Sequence, residues 1–545
     1  MHGNIPAAGW WLPGEKPPET GNDALKRALF EVNQPIVLVP KAGRPAVAAG
    51  GRVILSGVAP DDAAAVPILA YVPPLHPGRL GDPDFRRENG LDYAYVAGAM
   101  ANGITSVEMV EAVGRAGMLS FFGAAGLSIE AVEQAVDRLQ ERMRGVPFGV
   151  NLIHSPSEPD HEAATVDLFL RKGVKLISAS AYLGLTLPLL HYRVKGIRRN
   201  EKGAVVCSNR LVAKVSRVEV AEKFLSPPPE KMLAKLVAQG KITPEEAHLA
   251  RLVPVADSLT AEADSGGHTD NRPALALLPT LMAVRDRLME AHGYGRPIHV
   301  GLGGGIATPE SAAAAFAMGA AYVLTGSVNQ ACLEAGTSDR VREMLAEARQ
   351  ADVAMAPAAD MFEMGVKVQV LKRGTMFAQR AAKLYDLYTR YDRYDAAPPD
   401  QRAILEKDFF RSGFDEAWEA TRAFFEHRDP RQNLRAERDA RHKMALVFRS
   451  YLGRSSGWAT AGDPTRVIDY QIWCGPAMGA FNEWTRGTFL ERPANRRTVT
   501  VALNLLMGAS VITRVSWLRN QGVPVPHALS RYAPLPLSDL TAILG

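Results

Sequence analysis

Short apolar runs alternate with amphipathic stretches through the middle of the chain. Eight such runs occur, and helical stretches with apolar residues at i, i+3, i+4 spacing separate them. Strands that alternate with helices in this way predict a parallel sheet. The runs are Tyr93–Met100, Met118–Phe122, Pro147–Leu152, Val174–Ser178, Leu211–Ser216, Ser258–Glu262, Pro297–Gly301 and Ala321–Thr325.

Eight β/α units predict an α/β fold with a closed (β/α)8 TIM barrel over residues 91–350. An open, doubly wound sheet is the alternative. Two long connections place insertions around residues 190–252. The first predicts a hairpin at Asn200–Gly203, and the second predicts helices over Pro229–Gln239 and Pro244–Leu252.

The flanks differ from the predicted barrel. Residues 1–90 are predicted to form a small β-rich N-terminal region, and residues 351–545 a mainly helical C-terminal region packed on the barrel. The late apolar stretch Thr498–Thr513 contains Asn504 and is short, which favours a buried helix over a membrane span. The segment Met1–Gly21 lacks the basic head and apolar run of a signal peptide.

Composition narrows the class of protein. The chain has 545 residues, of which 47% are hydrophobic and 22% charged, as in soluble globular proteins. Its three cysteines are far apart, so neither a disulfide framework nor a metal site is expected. The net charge of +5 is spread along the chain, and no nucleic-acid-binding motif occurs. We therefore expect a cytoplasmic protein without a nucleic-acid or membrane partner.

Two glycine turns follow the seventh and eighth runs. Gly304 and Gly305 precede Thr308-Pro309, a helix start whose free N–H groups suit a phosphate. Gly326 and Ser327 follow the eighth run. The loops after strands seven and eight commonly bind phosphate in such barrels. A Rossmann fingerprint fails on spacing, because the sixth position from Gly301 is isoleucine.

A histidine follows the sixth run, after Gly266 and Gly267. His268 can exchange a proton near neutral pH, and the glycines let the backbone approach a ligand closely. Glu262 and Asp264 are nearby carboxylates that could pair with it, although the sequence does not show which does. Further polar or flexible side chains at strand ends or within strands are Met100, Asn151 and Lys214; a lysine inside an apolar strand is costly unless it meets an anion.

These segments together resemble the FMN sites of the nitronate monooxygenase superfamily. The resemblance rests on Gly98–Ala101, Gly149–Leu152, Glu262–His268, Gly304–Ala307 and Gly326-Ser327. Longer stretches are similar to the PfaD family, whose members are trans-acting enoyl reductases of polyunsaturated fatty acid and polyketide synthases. Those stretches are Tyr95–Ile104, Ala213–Arg217, Glu262–Asn271, Ala356–Met361 and Arg373–Thr375.

The resemblance implies roles for individual residues. It implies FMN contacts for Met100, Asn151 and Lys214, and a catalytic role for His268. It also implies that FMN is held by the glycine turns, at Gly266, Gly267, Gly304, Gly305, Gly326 and Ser327. Simple nitronate monooxygenases often continue Gly-Gly-His-x-Gly, whereas here Thr269 and Asp270 follow the histidine.

The expected function is therefore an FMN-dependent enoyl reductase, with NADPH or NADH as reductant. Its expected partners are acyl carrier protein domains, for which the basic stretches Arg193–Lys202 and Arg431–Lys443 are candidate docking surfaces. A homodimer is left open. The alternatives are a nitronate monooxygenase-type FMN oxidase on the same barrel and a non-catalytic docking subunit of a synthase complex.

Overall fold

The computed structural model describes residues 9–156 and 158–545, and its centre is a closed barrel of eight parallel strands. Each predicted run overlaps one strand, so the predicted barrel is confirmed and the open sheet is wrong. Residues 1–8 of the predicted N-terminal region lie outside the described residues. The strands are Tyr95–Ala97, Leu119–Phe122, Gly149–Ile153, Leu176–Ser180, Arg210–Val215, Ser258–Glu262, His299–Gly303 and Val323–Thr325.

The strands pair in chain order, and the eighth closes on the first through Thr325 and Ala97. Parallel pairing brings all carboxyl ends to one rim, which is where the predicted site residues lie. The strands are buried on both faces, as in Leu211–Ala213 and Leu259–Ala261, which is typical of a parallel sheet covered by helices. The rim is therefore rigidly supported from below.

Seven outer helices follow their strands, and the eighth comes from far along the chain. The helix Thr498–Asn520 packs between Pro309–Ala317 and Val107–Arg115, the seventh and first outer helices. It is long and apolar enough to cross a membrane, but 83% of its most apolar window is buried inside the protein. The other outer helices are Ile129–Arg142, Pro159–Lys172, Leu187–Val194, Val218–Leu225 and Ala274–His292.

The N-terminal region forms two small antiparallel sheets beside the barrel. One contains three strands and the other four, with a helix at Asn22–Phe30 and another at Pro83–Asn89. Arg514 of the eighth outer helix donates to the carbonyls of Glu31 and Gln34 and so ties this region to the barrel. The strands are Trp10–Leu12, Glu19–Thr20, Ile36–Lys41, Arg44–Ala48, Arg52–Ile54, Val66–Pro67 and Ala70–Val72.

The start of the C-terminal region is not helical, which corrects the sequence analysis there. Val353–Pro357 and Lys367–Leu371 form an antiparallel hairpin, which we call the site hairpin. Helices dominate afterwards, and a π-helical segment spans Leu405–Phe410. The division at residues 90 and 350 stays a prediction. The helices from residue 339 onward, apart from the eighth outer helix, are Asp339–Ala346, Phe377–Arg390, Pro399–Ile404, Phe414–Arg428, Pro430–Ala436, Ala440–Ala461, Ala477–Thr485 and Leu537–Leu544.

The insertion forms the predicted hairpin, in which Arg198–Arg199 pairs with Val205–Val206, and two helices at Glu230–Ala238 and Pro244–Ala250. The hairpin joins an outer helix to the start of the fifth strand. It therefore lies at the amino-terminal end of the barrel, opposite the rim that carries the site.

A glycine substitution tests whether Thr498–Asn520 packs as the eighth outer helix. A Cβ added to Gly508 would lie 2.5 Å from Cγ of Pro309. We expect Gly508→Ala to lower the free energy of unfolding by about 1–3 kcal/mol, because the two helices must move apart. Denaturant unfolding followed by circular dichroism measures the change.

Gly457→Ala is the matched control. Gly457 lies in the helix Ala440–Ala461 with open space around its Cα. Alanine there should raise the free energy of unfolding by about 0.5–1 kcal/mol. Equal effects of the two substitutions would contradict the packing.

Candidate active site

A cavity of about 790 Å³ opens at the carboxyl ends of the barrel strands. The structure brings all the predicted site residues together in its wall, although the sequence spreads them over more than 200 positions. They are Met100, Asn151, Lys214, Gly266, Gly267, His268, Gly304, Gly305, Gly326 and Ser327. Their individual roles stay predictions.

His268 is held at the cavity wall by a short β-pairing. Gly267 and His268 pair antiparallel with Gln369 and Val368 of the site hairpin. Gly267 has a φ of +81°, which favours glycine and turns the chain into this pairing. The pairing fixes the backbone of His268, from which its ring reaches the cavity wall.

The partner of the His268 ring is a carboxylate that sequence reasoning did not select. Nε2 of His268 lies 3.1 Å from Oδ1 of Asp360, which sits in the turn of the site hairpin. Both side chains are about one-third exposed, His268 at 29% and Asp360 at 32%. Asp360 lies inside the Ala356–Met361 segment of the family resemblance, which was the available signal.

The two groups stabilise each other's charged forms. Burial alone would lower the pKa of His268, but the carboxylate of Asp360 outweighs burial and raises that pKa above its usual value. Burial alone would raise the pKa of Asp360, but the charge on His268 outweighs it and lowers that pKa. His268 is therefore a cation over a wider pH range than an isolated imidazole.

An arginine from the helical region supports the turn that presents Asp360. Arg449 of the helix Ala440–Ala461 donates through Nε to the carbonyl of Ala359, at 2.9 Å. Its Nη1 also donates to Oε1 of Glu363, at 3.2 Å. The helical region thus contacts the site through the same turn that holds the histidine.

The carboxylates near His268 in sequence have other partners. Glu262 accepts from Lys214, with Nζ and Oε1 2.6 Å apart, so the buried lysine meets its expected anion. Asp264 accepts from the side-chain amides of Gln369 and Asn271, each at 2.8 Å. The pairing with His268 that the sequence left open between Glu262 and Asp264 is therefore made by Asp360.

The turns after the seventh and eighth strands leave bare backbone facing the cavity. A Cβ added at Gly305 or Gly326 would have no atom within 4 Å. Among the described residues, neither N–H group donates to a protein acceptor. Ser265 Oγ, also in the cavity wall, is buried without a hydrogen-bond partner in the described chain. Unused donors of this kind suit an anion.

The C-terminal region supplies much of the remaining wall, which sequence reasoning missed. Gly266 packs so closely on Cys474 that an added Cβ would lie 2.9 Å from its backbone. Gly475 N donates to Ser327 Oγ, at 3.1 Å. On the other side, Arg428 forms a bidentate pair with Glu158, at 2.6 and 3.0 Å. The C-terminal region is part of the site and not an appendage.

Comparison with known protein families identifies the family of this chain. The family model for nitronate monooxygenase matches residues 91–389, more than half of the chain. The chain belongs to the nitronate monooxygenase family. A second model, for the inserted helical domain of [acyl-carrier-protein] S-malonyltransferase, matches residues 391–470. The resemblance to the nitronate monooxygenase superfamily is confirmed.

Individual relatives match over most of this chain. One polyunsaturated fatty acid synthase subunit of Thraustochytrium sp. is 48% identical over 456 residues, which are 82% of this chain and 30% of that protein. Polyketide biosynthesis protein PksE of Bacillus subtilis is 46% identical over 434 residues, 79% of this chain and 56% of that protein. The chain thus spans less than two-thirds of these relatives.

A solved structure is similar over nearly its whole length. The enoyl reductase domain of MlnA, from the macrolactin biosynthesis cluster of Bacillus amyloliquefaciens, is 40% identical with a TM-score of 0.77. The match covers 81% of this chain and 99% of that one. The barrel with its helical C-terminal region is therefore an arrangement that a solved relative shares.

Neutralising Asp360 tests the charge pair. We expect Asp360→Asn to lower the pKa of His268, because burial then acts without the opposing carboxylate. NMR titration of the histidine ring measures the shift. The pair should also stabilise the fold from about pH 3.9 to about pH 6.5, and lose that contribution as the pH rises through the raised pKa of His268.

Glu363→Gln is the control, since it removes a carboxylate of the same turn that contacts Arg449 and not His268. An equal pKa shift in both variants would show that the turn matters and the Asp360 charge does not.

Proposed function

We propose that this chain is a trans-acting, FMN-dependent enoyl reductase. It would reduce the α,β-double bond of enoyl thioesters carried on acyl carrier protein, in polyketide or polyunsaturated fatty acid biosynthesis. The observation that carries the proposal is the His268–Asp360 pair in the same cavity as two bare glycine turns. The names of the similar enoyl reductase domain and of the synthase relatives support the reaction and its setting.

The residues of the cavity fit FMN. The bare N–H groups at Gly305 and Gly326, with Gly304 and Ser327 beside them, would hold its phosphate. Met100, Asn151, Lys214, Gly266 and Gly267 would line its ring. The amide of Asn151 donates to Ser178 O and Ser180 Oγ, at 3.0 and 3.1 Å, which fixes its orientation. When bound, FMN would supply hydride for the β-carbon, after reduction by NADPH or NADH.

The protein's own contribution would be a proton and a positive charge. Reduction of an enoyl thioester develops negative charge on the carbonyl oxygen and needs a proton at the α-carbon. His268, kept protonated by Asp360, is suited to both tasks. Because Nε2 faces Asp360, Nδ1 is the ring nitrogen left for the substrate. Asp360 would act as a positioning residue.

Partners and location follow from the proposed reaction. The substrate arm would enter at the carboxyl-terminal rim, so a carrier protein would dock on that side. The stretch Arg193–Lys202 does not fit, because its hairpin lies at the opposite end and Arg193 is buried against Asp257. Arg431–Lys443 lies near the rim, but several of its charges are paired internally, as Arg431 is with Asp429. A cytoplasmic location is part of the proposal, and the homodimer stays an open alternative.

An anaerobic spectral assay tests the proposal. We expect the purified protein to show bound flavin absorbance, to bleach with NADPH or NADH, and to recover colour when a crotonyl thioester is added. His268→Ala should keep the flavin and lower the rate of recovery by about 10²–10⁴-fold. His527→Ala, at an exposed histidine outside the cavity, should behave as wild type.

Two results would favour the alternatives. Oxygen-dependent consumption of a nitronate without a nicotinamide nucleotide would indicate the FMN oxidase. A colourless protein that binds carrier protein would indicate the docking subunit. Retained flavin with unchanged turnover in His268→Ala would remove His268 from the mechanism.

A methyl group at the proposed phosphate site tests how FMN is held. Gly326 has a negative φ of −127° and open space at its Cα, so alanine does not require left-handed backbone. We expect Gly326→Ala to keep the thermal stability of the flavin-free protein but weaken FMN binding, since the methyl would occupy the ligand's space. Fluorescence titration of the stripped protein with FMN measures affinity.

Gly413→Ala is the matched control, because Gly413 also has open space around it and lies outside the cavity. Unchanged FMN affinity in Gly326→Ala would place the phosphate elsewhere.

A further inference from the structure

A second cavity of about 400 Å³ adjoins the first at the histidine. Four residues line both cavities: Ala181, Lys214, Glu262 and His268. The second cavity lies between the loop after the fourth strand, the segment after the fifth strand and the turn of the site hairpin. It therefore shares the acid–base group of the main cavity and adds a separate space beyond it.

One wall of the second cavity is apolar. Leu183 and Met364 both line it and are 43% and 58% exposed, so the cavity brings two exposed apolar side chains together. Tyr182, Val220, Met361 and Val366 complete that wall. Methionine and leucine side chains of this kind adapt to flexible aliphatic ligands. The wall thus resembles a binding surface more than an ordinary solvated face.

Charged side chains on the opposite wall form ion pairs with one another. Arg217 forms a bidentate pair with Asp270, at 2.7 and 2.9 Å, and Ser216 donates to the same carboxylate at 2.5 Å. This pairing holds the pKa of Asp270 at about 2. The Arg217–Asp270 pair is closed internally, and the remaining lysine or arginine that lines this cavity outside the Arg217–Asp270 and Lys214–Glu262 pairs is the exposed Lys367 of the site hairpin.

The shape of an enoyl thioester requires two exits from the reaction centre. Its double bond lies between the pantetheine arm on one side and the aliphatic tail on the other. The main cavity must hold FMN and also offers polar groups such as Arg454 and His161, which suit the amides of the arm. The second cavity, with its apolar wall, begins at His268, where the double bond would react.

Resting on the proposed function, we propose that the second cavity binds the aliphatic tail of the enoyl thioester. The pantetheine arm then leaves through the main cavity. In this arrangement Leu183 and Met364 set the chain length that the enzyme accepts, because they bound the space available beyond His268.

Chain-length profiles test this assignment. The probes are trans-2-enoyl pantetheine thioesters of four and twelve carbons, with the flavin-loaded full-length protein. We expect Leu183→Trp to lower kcat/KM for the longer substrate by about tenfold or more. The kcat/KM for the shorter substrate should stay at the wild-type value. Met364→Trp fills the same space from the site hairpin and should give the same selective loss.

Leu252→Trp is the matched control, since Leu252 is 50% exposed and lines neither cavity. Ala420→Trp tests whether the aliphatic tail lies in the main cavity instead, because Ala420 lines that cavity beside the helical region. Ala423→Trp is its control, since Ala423 is on the same helix and outside the cavity. If Ala420→Trp lowers kcat/KM for the longer substrate selectively, and neither Leu183→Trp nor Met364→Trp does, the assignment is overturned.

An unchanged chain-length profile in both Leu183→Trp and Met364→Trp, with flavin content intact, would also overturn it. If the wild-type protein reduces both the four-carbon and the twelve-carbon substrate, the proposed function is supported whatever the variants show. A wild-type protein that reduces neither would overturn the proposed function and this inference with it.

Discussion

The short antiparallel pairing of Gly267 and His268 with the site hairpin is the interaction on which the candidate site depends. It joins the loop after the sixth barrel strand to a segment about 100 residues later. The same hairpin presents Asp360 to the ring, and Gln369 from it holds Asp264 and Ser265 in place. One pairing therefore sets the position, charge and surroundings of the histidine.

The rest of the site depends on two further long-range contacts. Arg449 brings the helical region onto the hairpin turn, and Gly475 brings the segment after that region onto Ser327. The second contact lies next to Cys474, whose backbone a Cβ on Gly266 would meet at 2.9 Å, so this position requires glycine. The barrel supplies the floor of the cavity, and the last third of the chain supplies much of its wall.

The features that could be predicted from the sequence are local ones, namely strands, helix starts and turns. Alternating strand and helix patterns predicted all eight barrel strands, and the helix start at Thr308-Pro309 is confirmed by its capping box. The glycine turns could be placed on one rim because barrel topology puts strand ends together. The role of Asp360 and the place of the late buried helix in the barrel could not be found in this way, since their partners lie far off in sequence and no local period records a tertiary contact.

The partner of the lysine shows the same limit. Pattern alone predicted that Lys214 needs an anion, because a buried charge without a partner is costly. Which carboxylate answers that need depends on the side chain of Glu262 reaching across from the neighbouring strand. The strand between residues 353 and 357 was missed because Ala-Met-Ala is as compatible with a helix as with a strand.

The late position of the eighth outer helix in the chain has a consequence for how the molecule folds during synthesis. Because Thr498–Asn520 closes the ring of helices, the segment matched by the helical family model is an excursion between the last barrel strand and its own helix. Both ends of that excursion return to one scaffold, so the helical segment is anchored to the barrel at both of its ends. During synthesis the barrel cannot close its outer layer until residue 520 has emerged. Until then the groove between the first and seventh helices exposes apolar surface, the kind of surface that chaperones bind and that aggregates form from.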